Sequence, residues 1–287
     1  VREWFRRQPA GAPEAERPPL LKVENLSFSY HPGRKTLKNI SVTIRKGEMV
    51  SIVGTNGAGK STFSKLLCGF EKPEEGTLTF DGWDLGALSI KERADFVGYV
   101  MQNPNQMISK TQIFDEVALG LRNRGIAEET VKARVEETLK ICGLYPFRNW
   151  PVSALSYGQK KRVTIASILV LRPEMILLDE PTAGQDLAHY TQIMDFLAQL
   201  NRAGTTVVLI THDMHLMLEY TPRAIVFHDG AILADTGAAQ VLNDPELVSR
   251  ASLKETSLYH LAALCGIGEP EEFTRRFIAR DREGRKA

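Results

Sequence analysis

Residues 54–61, GTNGAGKS, decide how the rest of this chain is read. They match the pattern G-x-x-x-x-G-K-[ST] of a phosphate-cradling loop, and their surroundings suit the mechanism. Residues 49–53 (MVSIV) predict a buried strand leading into the loop, and residues 62–67 predict the start of a helix leaving it. A strand feeding a glycine-rich turn into a helix aims backbone N–H groups and the positive helix end at a polyphosphate. Gly54, Gly57 and Gly59 permit the tight backbone, Lys60 reaches the β- and γ-phosphates, and Ser61 can hold Mg²⁺. The expectation is a nucleoside triphosphate-binding chain.

Composition bounds what else the chain can be. Its 287 residues can bury a full core, and 43 % hydrophobic content is ordinary for a globular protein. The 36 basic and 35 acidic side chains nearly cancel, so overall charge calls for neither nucleic acid nor an anionic membrane surface. No apolar run approaches the roughly 18–20 residues that cross a bilayer. Cys68, Cys142 and Cys265 lie far apart without metal-ligand spacing and suit buried thiols in a reducing compartment. Pro9, Pro13, Pro18 and Pro19, with Gly11 and several charges, predict a linker over residues 1–19, as in a fragment preceded by more chain; a native N-terminal arm is the competing view.

Hydrophobic patterning gives the organisation. Strand signals fall at residues 21–30, 37–44, 48–53, 76–80 and 97–101, with turns at His31-Pro32-Gly33 and Asp81-Gly82. Residues 104–171 turn helical; Val131, Val135, Leu139 and Cys142 make a stripe at helical spacing. Strand signals return at 175–178, 206–210 and 224–228, with a helix at 188–200. This predicts an α/β core interrupted by a helical insertion. Beyond residue 245, Leu258, Leu261 and Leu264 stand near helical spacing, which suits subunit pairing or a packed terminal helix.

A second apolar run, Met175 to Leu178, ends in Asp179 and Glu180. In phosphate-loop enzymes a strand-end Asp assists Mg²⁺ binding, and an adjacent Glu can polarise an attacking water. Between the loop and this pair stands LSYGQKKR, residues 155–162. Here the chain resembles the ATP-binding subunit of an ABC transporter. LSYGQ is similar to the family signature LSGGQ, with Tyr157 where the first glycine of that pair stands; Ser156, Gly158 and Gln159 match. Gln102 resembles the family's Q-loop residue, residues 183–186 its D-loop (Gln185 where Leu is commoner), and His212 its switch histidine. Tyr30 resembles the aromatic side chain that stacks on adenine. Taken singly, such residues are commonplace; their order and spacing across residues 20–245 carry the resemblance.

The resemblance implies a P-loop NTPase core of RecA type with an antiparallel β portion and an inserted helical subdomain at about 104–171. It implies an ATPase domain over residues 20–245 and a helical extension over 246–287. It assigns catalysis to Glu180, His212 and Lys60. Nucleotide contacts fall to Tyr30, Gly54, Asn56, Gly57, Gly59, Lys60, Ser61, Thr62, Gln102, Ser156, Gly158, Gln159 and Asp186, and Mg²⁺ contacts to Ser61, Gln102 and Asp179. Cofactors are then ATP and Mg²⁺. Two cassettes pair head to tail around two ATP molecules, with integral-membrane transporter subunits as partners, no nucleic acid, and a peripheral place on the cytoplasmic face of the cell membrane. QNPNQMISKTQIFDEVALG, LSYGQKKRV and the helical tail resemble the energy-coupling factor type, importers of a vitamin or metal ion. Alternatives are an exporter ATPase, a regulatory nucleotide binder, or a non-transport cassette acting on ribosomes. The DNA-repair type is disfavoured because only 119 positions separate Lys60 from Asp179.

Overall fold

In the computed structural model, which describes residues 17–182, 187–253 and 257–284, the chain builds two sheets. The first is antiparallel, in the order β2-β1-β4-β5, from β1 (Pro19–Phe28), β2 (Leu37–Arg45), β4 (Glu75–Phe80) and the short β5 (Trp83–Asp84). The second has the order β10-β9-β3-β8-β7-β6. It comprises β3 (Met49–Gly54), β6 (Val97–Val100), β7 (Met175–Asp179), β8 (Thr206–Ile210), β9 (Arg223–His228) and β10 (Ala231–Gly237). All its pairings are parallel except β10 with β9. The strand expectations stand within a few residues. β5 and β10 were not anticipated: β5 has two residues, and β10 is only partly buried, so neither shows the apolar pattern that marks a core strand.

Every residue of β3 and β8 is buried, as a parallel sheet covered on both faces requires. Alternation then sorts side chains by face. Ile176 and Leu178 join the core shared with the helices, whereas Met175 and Leu177 join the core shared with the antiparallel sheet and Phe63. Phe63 belongs to α1 (Lys60–Cys68), the helix that leaves the phosphate loop. After α2 (Ile90–Arg93) and β6 come α3 (Ile113–Arg122), α4 (Glu128–Ile141) and α5 (Tyr157–Leu169). The expected stripe Val131, Val135, Leu139 and Cys142 is buried, facing Val117 and Leu121 in one cluster.

Toward the C-terminus run α6 (Leu187–Arg202), α7 (Met214–Tyr220), α8 (Ala238–Asn243), α9 (Pro245–Arg250), α10 (Ser257–Leu264) and α11 (Pro270–Gly284). Of the three tail leucines, Leu258 and Leu261 pack beside Ala262, Ile267 and Phe273, while Leu264 is 87 % exposed. Among the described residues no helix is long and apolar enough to cross a membrane.

Gly54 closes β3 at φ 140°, paired with Phe227, and a Cβ there would meet the Phe227 carbonyl oxygen at 2.1 Å. Gly54→Ala is therefore expected to cost roughly 2–4 kcal/mol of folding stability, combining backbone strain with a clash at a paired strand end. Urea denaturation measures it; an unchanged midpoint would show that the strand end relaxes freely.

Candidate functional site

Ligands of parallel α/β sheets bind beyond the carboxyl ends of the strands, and the loop, Gln102, Asp179, Glu180 and His212 follow those ends. β3 runs into the loop, β8 into Thr211 and His212, β7 into Asp179 and Glu180, and β6 into Gln102. Adjacent strands lie about 4.8 Å apart, so the edge from β3 to β6 spans roughly 14 Å.

The loop hands over to α1 through Gly59, at φ 103°, where a Cβ would press on Leu37 at 2.5 Å. Lys60 Nζ turns back into the loop and donates to the Gly54 and Thr55 carbonyls at 2.7 and 2.9 Å. Its ammonium is therefore satisfied by backbone that a triphosphate would replace. Burial lowers the Lys60 pKa, and the carboxylates of Glu180 and Asp179 oppose that shift. Ser61 is exposed beside the loop and Thr62 is buried. Asn56 and Gly57 form the exposed crest, where a Cβ on Gly57 would find no atom within 4 Å.

Asp179 accepts from the Tyr99 hydroxyl at 3.2 Å. Tyr99 pairs with Leu177 across the parallel ladder, so Tyr99, Leu177 and Asp179 share one face of the sheet. Burial raises the Asp179 pKa, against the lowering effects of Tyr99, Lys161 and Lys60. A half-sequestered carboxylate of this kind gains from a cation placed against it. Asp179, close enough to Lys60 to feel its charge, therefore fits a cation such as Mg²⁺, and the loop with Lys60 fits a polyphosphate.

Glu180 breaks the strand's alternation: its φ of 45° lies in the left-handed region, and its N–H still donates to Ile210. That twist swings the carboxylate toward β8. Its Oε1 lies 2.6 Å from His212 Nδ1, and its Oε2 accepts from Thr211 at 3.4 Å. The Glu180 side chain is 11 % exposed and that of His212 69 %, so the imidazole presents its far edge to solvent.

Tyr30 follows β1, stacked edge-on against Phe28 at 4.8 Å. Lys65 of α1 lies 5.5 Å from the Tyr30 ring centroid, so the ring stands beside the loop's own helix. Ser156 caps α5 reciprocally: its Oγ accepts from the Gln159 N–H, and Gln159 Oε1 accepts from the Ser156 N–H. Gln159 is thus engaged in shaping the helix end. Gly158 is buried in the first turn. Gln102 is exposed, and what holds it is its backbone carbonyl, which receives bonds from Tyr157 and Lys161. Asp186 and residues 183–186 lie outside the described residues.

Tyr99, Thr211 and Lys161 were not singled out in the sequence. Lys161 sits in the basic run Lys160-Lys161-Arg162, yet it is 1 % exposed. Burial lowers its pKa to about 8, against the opposing carboxylates of Asp179 and Glu180. The signal for Tyr99 was its two-residue alternation in β6, which has meaning only once β6 is paired with β7.

A parallel sheet carrying a phosphate loop at one strand end and paired carboxylates two strands away defines a P-loop nucleotide hydrolase. The chain belongs to the ABC transporter family, whose pattern matches residues 37–183. It is similar to a relative from Clostridium perfringens (strain 13 / Type A) named "Putative ABC transporter ATP-binding protein", 58 % identical over 285 residues, covering 99 % of this chain and 50 % of that protein. A like-named relative from Enterococcus faecalis (strain ATCC 700802 / V583) is 58 % identical over 279 residues, covering 97 % and 49 %. The chain spans about half the length of the curated relatives it matches. Among solved structures, cbiO1 from Clostridium perfringens, part of the ABC transporter complex cbiONQ, aligns with a TM-score of 0.76 at 31 % identity, covering 88 % of this chain and all of that one. An ATP-binding cassette solved as a dimer in a post-hydrolysis state with ADP and Pi gives 0.69 at 33 % identity, covering 76 % and 99 %. The domain is an ABC ATPase, with ATP and Mg²⁺ as its cofactors.

Proposed function

We propose that this domain hydrolyses ATP to drive a membrane transporter of the energy-coupling factor type, importing a micronutrient such as a vitamin or metal ion. The observation that carries the hydrolytic reading is the 2.6 Å Glu180–His212 pair beside Asp179 at the carboxyl edge of the sheet. Lys60 leaves the Gly54 and Thr55 carbonyls for the β- and γ-phosphates, while loop amides and the α1 N-terminus receive the remaining phosphate oxygens. Ser61, Asp179 and Gln102 would hold Mg²⁺, which would supply positive charge to the phosphate chain. Glu180 accepts a hydrogen bond from the attacking water and orients it; His212, held by Glu180, faces the γ-phosphate. Tyr30 stacks on the adenine.

Ser156 is exposed at the start of α5, just ahead of the buried Gly158, and in this reading this helix end serves the nucleotide of a second cassette paired head to tail, with Asp186 and Gln159 at the same seam. The transporter reading draws on the likeness to cbiO1, a component of a transporter complex. It also draws on an apolar cavity of about 220 Å³ lined by Phe70, Ile90, Met101, Met107 and Leu171, next to Gln102, which suits an apolar segment of an integral-membrane subunit. That partner would place the domain on the cytoplasmic face of the membrane.

The test is affinity purification of the full-length protein from solubilised membranes, followed by uptake of labelled vitamins and metal ions into vesicles holding the purified complex. An integral-membrane protein in stoichiometric amount and ATP-dependent uptake are expected. Co-sedimentation with ribosomes in place of a membrane partner, or ATP-dependent extrusion, would contradict the assignment.

A further inference from the structure

Lys161 is a fully buried ammonium outside the nucleotide-contacting set, and its three N–H donors are all used. They reach the carbonyls of Met101 at 2.7 Å, Gln102 at 2.9 Å and Asp179 at 3.3 Å. Two of these belong to the segment leaving β6 and the third to the catalytic end of β7. One helical turn earlier on the same face of α5, the Tyr157 hydroxyl donates to the same Gln102 carbonyl at 3.2 Å. Both lone pairs of that oxygen are therefore engaged by a single helix. Tyr157 is also the position where the sequence departs from the family signature, and its ring supplies the reach that a glycine lacks.

We propose that Tyr157 and Lys161 are positioning residues that fasten the Gln102 peptide to α5 and to the end of β7, so that the segment after β6 and the Ser156 helix end move as one body. A push on the segment at Gln102 is then delivered to Ser156 through two side chains rather than absorbed by an intervening loop. An ammonium with three carbonyl partners cannot slide without stranding a buried charge, which makes the link stiff. The adjacent Lys160 offers a contrast: its Nζ lies 3.5 Å from Asn105 Oδ1 on the exposed surface.

The kinetic half of this inference rests on the ATPase reading above; the structural half does not. In the full-length protein, hydrogen exchange of residues 102–107 is compared among wild type, Tyr157→Phe, Lys161→Met and Lys160→Ala. Tyr157→Phe removes one hydroxyl and keeps the ring, so it tests the idea even if Lys161→Met fails to fold. Exchange across 102–107 should rise at least threefold in Tyr157→Phe and more in Lys161→Met, and stay within twofold in Lys160→Ala. In parallel, kcat for ATP should fall about fivefold in Tyr157→Phe, the factor a single neutral hydrogen bond commands, with KM within twofold of wild type. Unchanged exchange in Tyr157→Phe overturns the fastening. Raised exchange with unchanged kcat, or a loss confined to KM, overturns the positioning role. A wild type that turns over no ATP would end the functional reading while the exchange comparison still decides the link.

Discussion

Glu180→Gln is expected to bind ATP with near wild-type affinity and to lose turnover by roughly 10²–10⁴-fold, the range removed with a positioned general base. The amide keeps the volume of a side chain that is 11 % exposed and lodged against His212 and Thr211, so the fold should be undisturbed. It loses the anionic oxygen that can draw a proton from water. Binding is spared because most triphosphate contacts reside in residues 54–61, Lys60 among them, at a different strand end. Steady-state phosphate release and an equilibrium ATP titration on the same preparation check both halves. Ordinary turnover would remove Glu180 from the mechanism.

Lys60→Ala is expected to do the converse. Its ammonium already makes two bonds to loop carbonyls at 2.7 and 2.9 Å, and in the proposed complex it exchanges these for phosphate oxygens. A charge-assisted hydrogen bond contributes about 1.5–3 kcal/mol, so losing a pair should weaken ATP binding on the order of 10²-fold or more. The folded state should tolerate the change, because Lys60 is a desolvated cation whose removal also relieves a burial cost. Titration with a fluorescent ATP analogue measures the loss; an affinity within a few-fold of wild type would contradict the assigned role.

The phosphate loop was legible because strand, turn and helix are contiguous in sequence, and the geometry confirms the strand Met49–Gly54 and the helix Lys60–Cys68 around it. The helical stripe at Val131, Val135 and Leu139 was legible for the same reason: one period within one element. What escaped depended on pairing between distant segments. Tyr99 meets Asp179 only because β6 lies beside β7, a parallel contact across 80 positions. Lys161 is buried only because the β6 segment and the end of β7 close around it, which no local pattern announces. The Glu180 side chain reaches His212 through a left-handed backbone twist that a non-glycine residue seldom adopts and that local propensity does not announce. Gln159 adds a role that its place in a signature did not suggest: its Oε1 accepts from the Ser156 N–H and closes the cap at the start of α5.

In the proposed mechanism this chain grips ATP in the loop of residues 54–61 and lends its Ser156 helix end to a second nucleotide. The most direct measurement is a structure of the full-length Glu180→Gln protein with ATP and Mg²⁺. Expected are a triphosphate wrapped by residues 54–61 with Lys60 on its terminal phosphates, and the Ser156 helix end closed on the nucleotide of an opposing cassette. A triphosphate bound away from that loop, or a closed pair in which Ser156 faces no nucleotide, would contradict it.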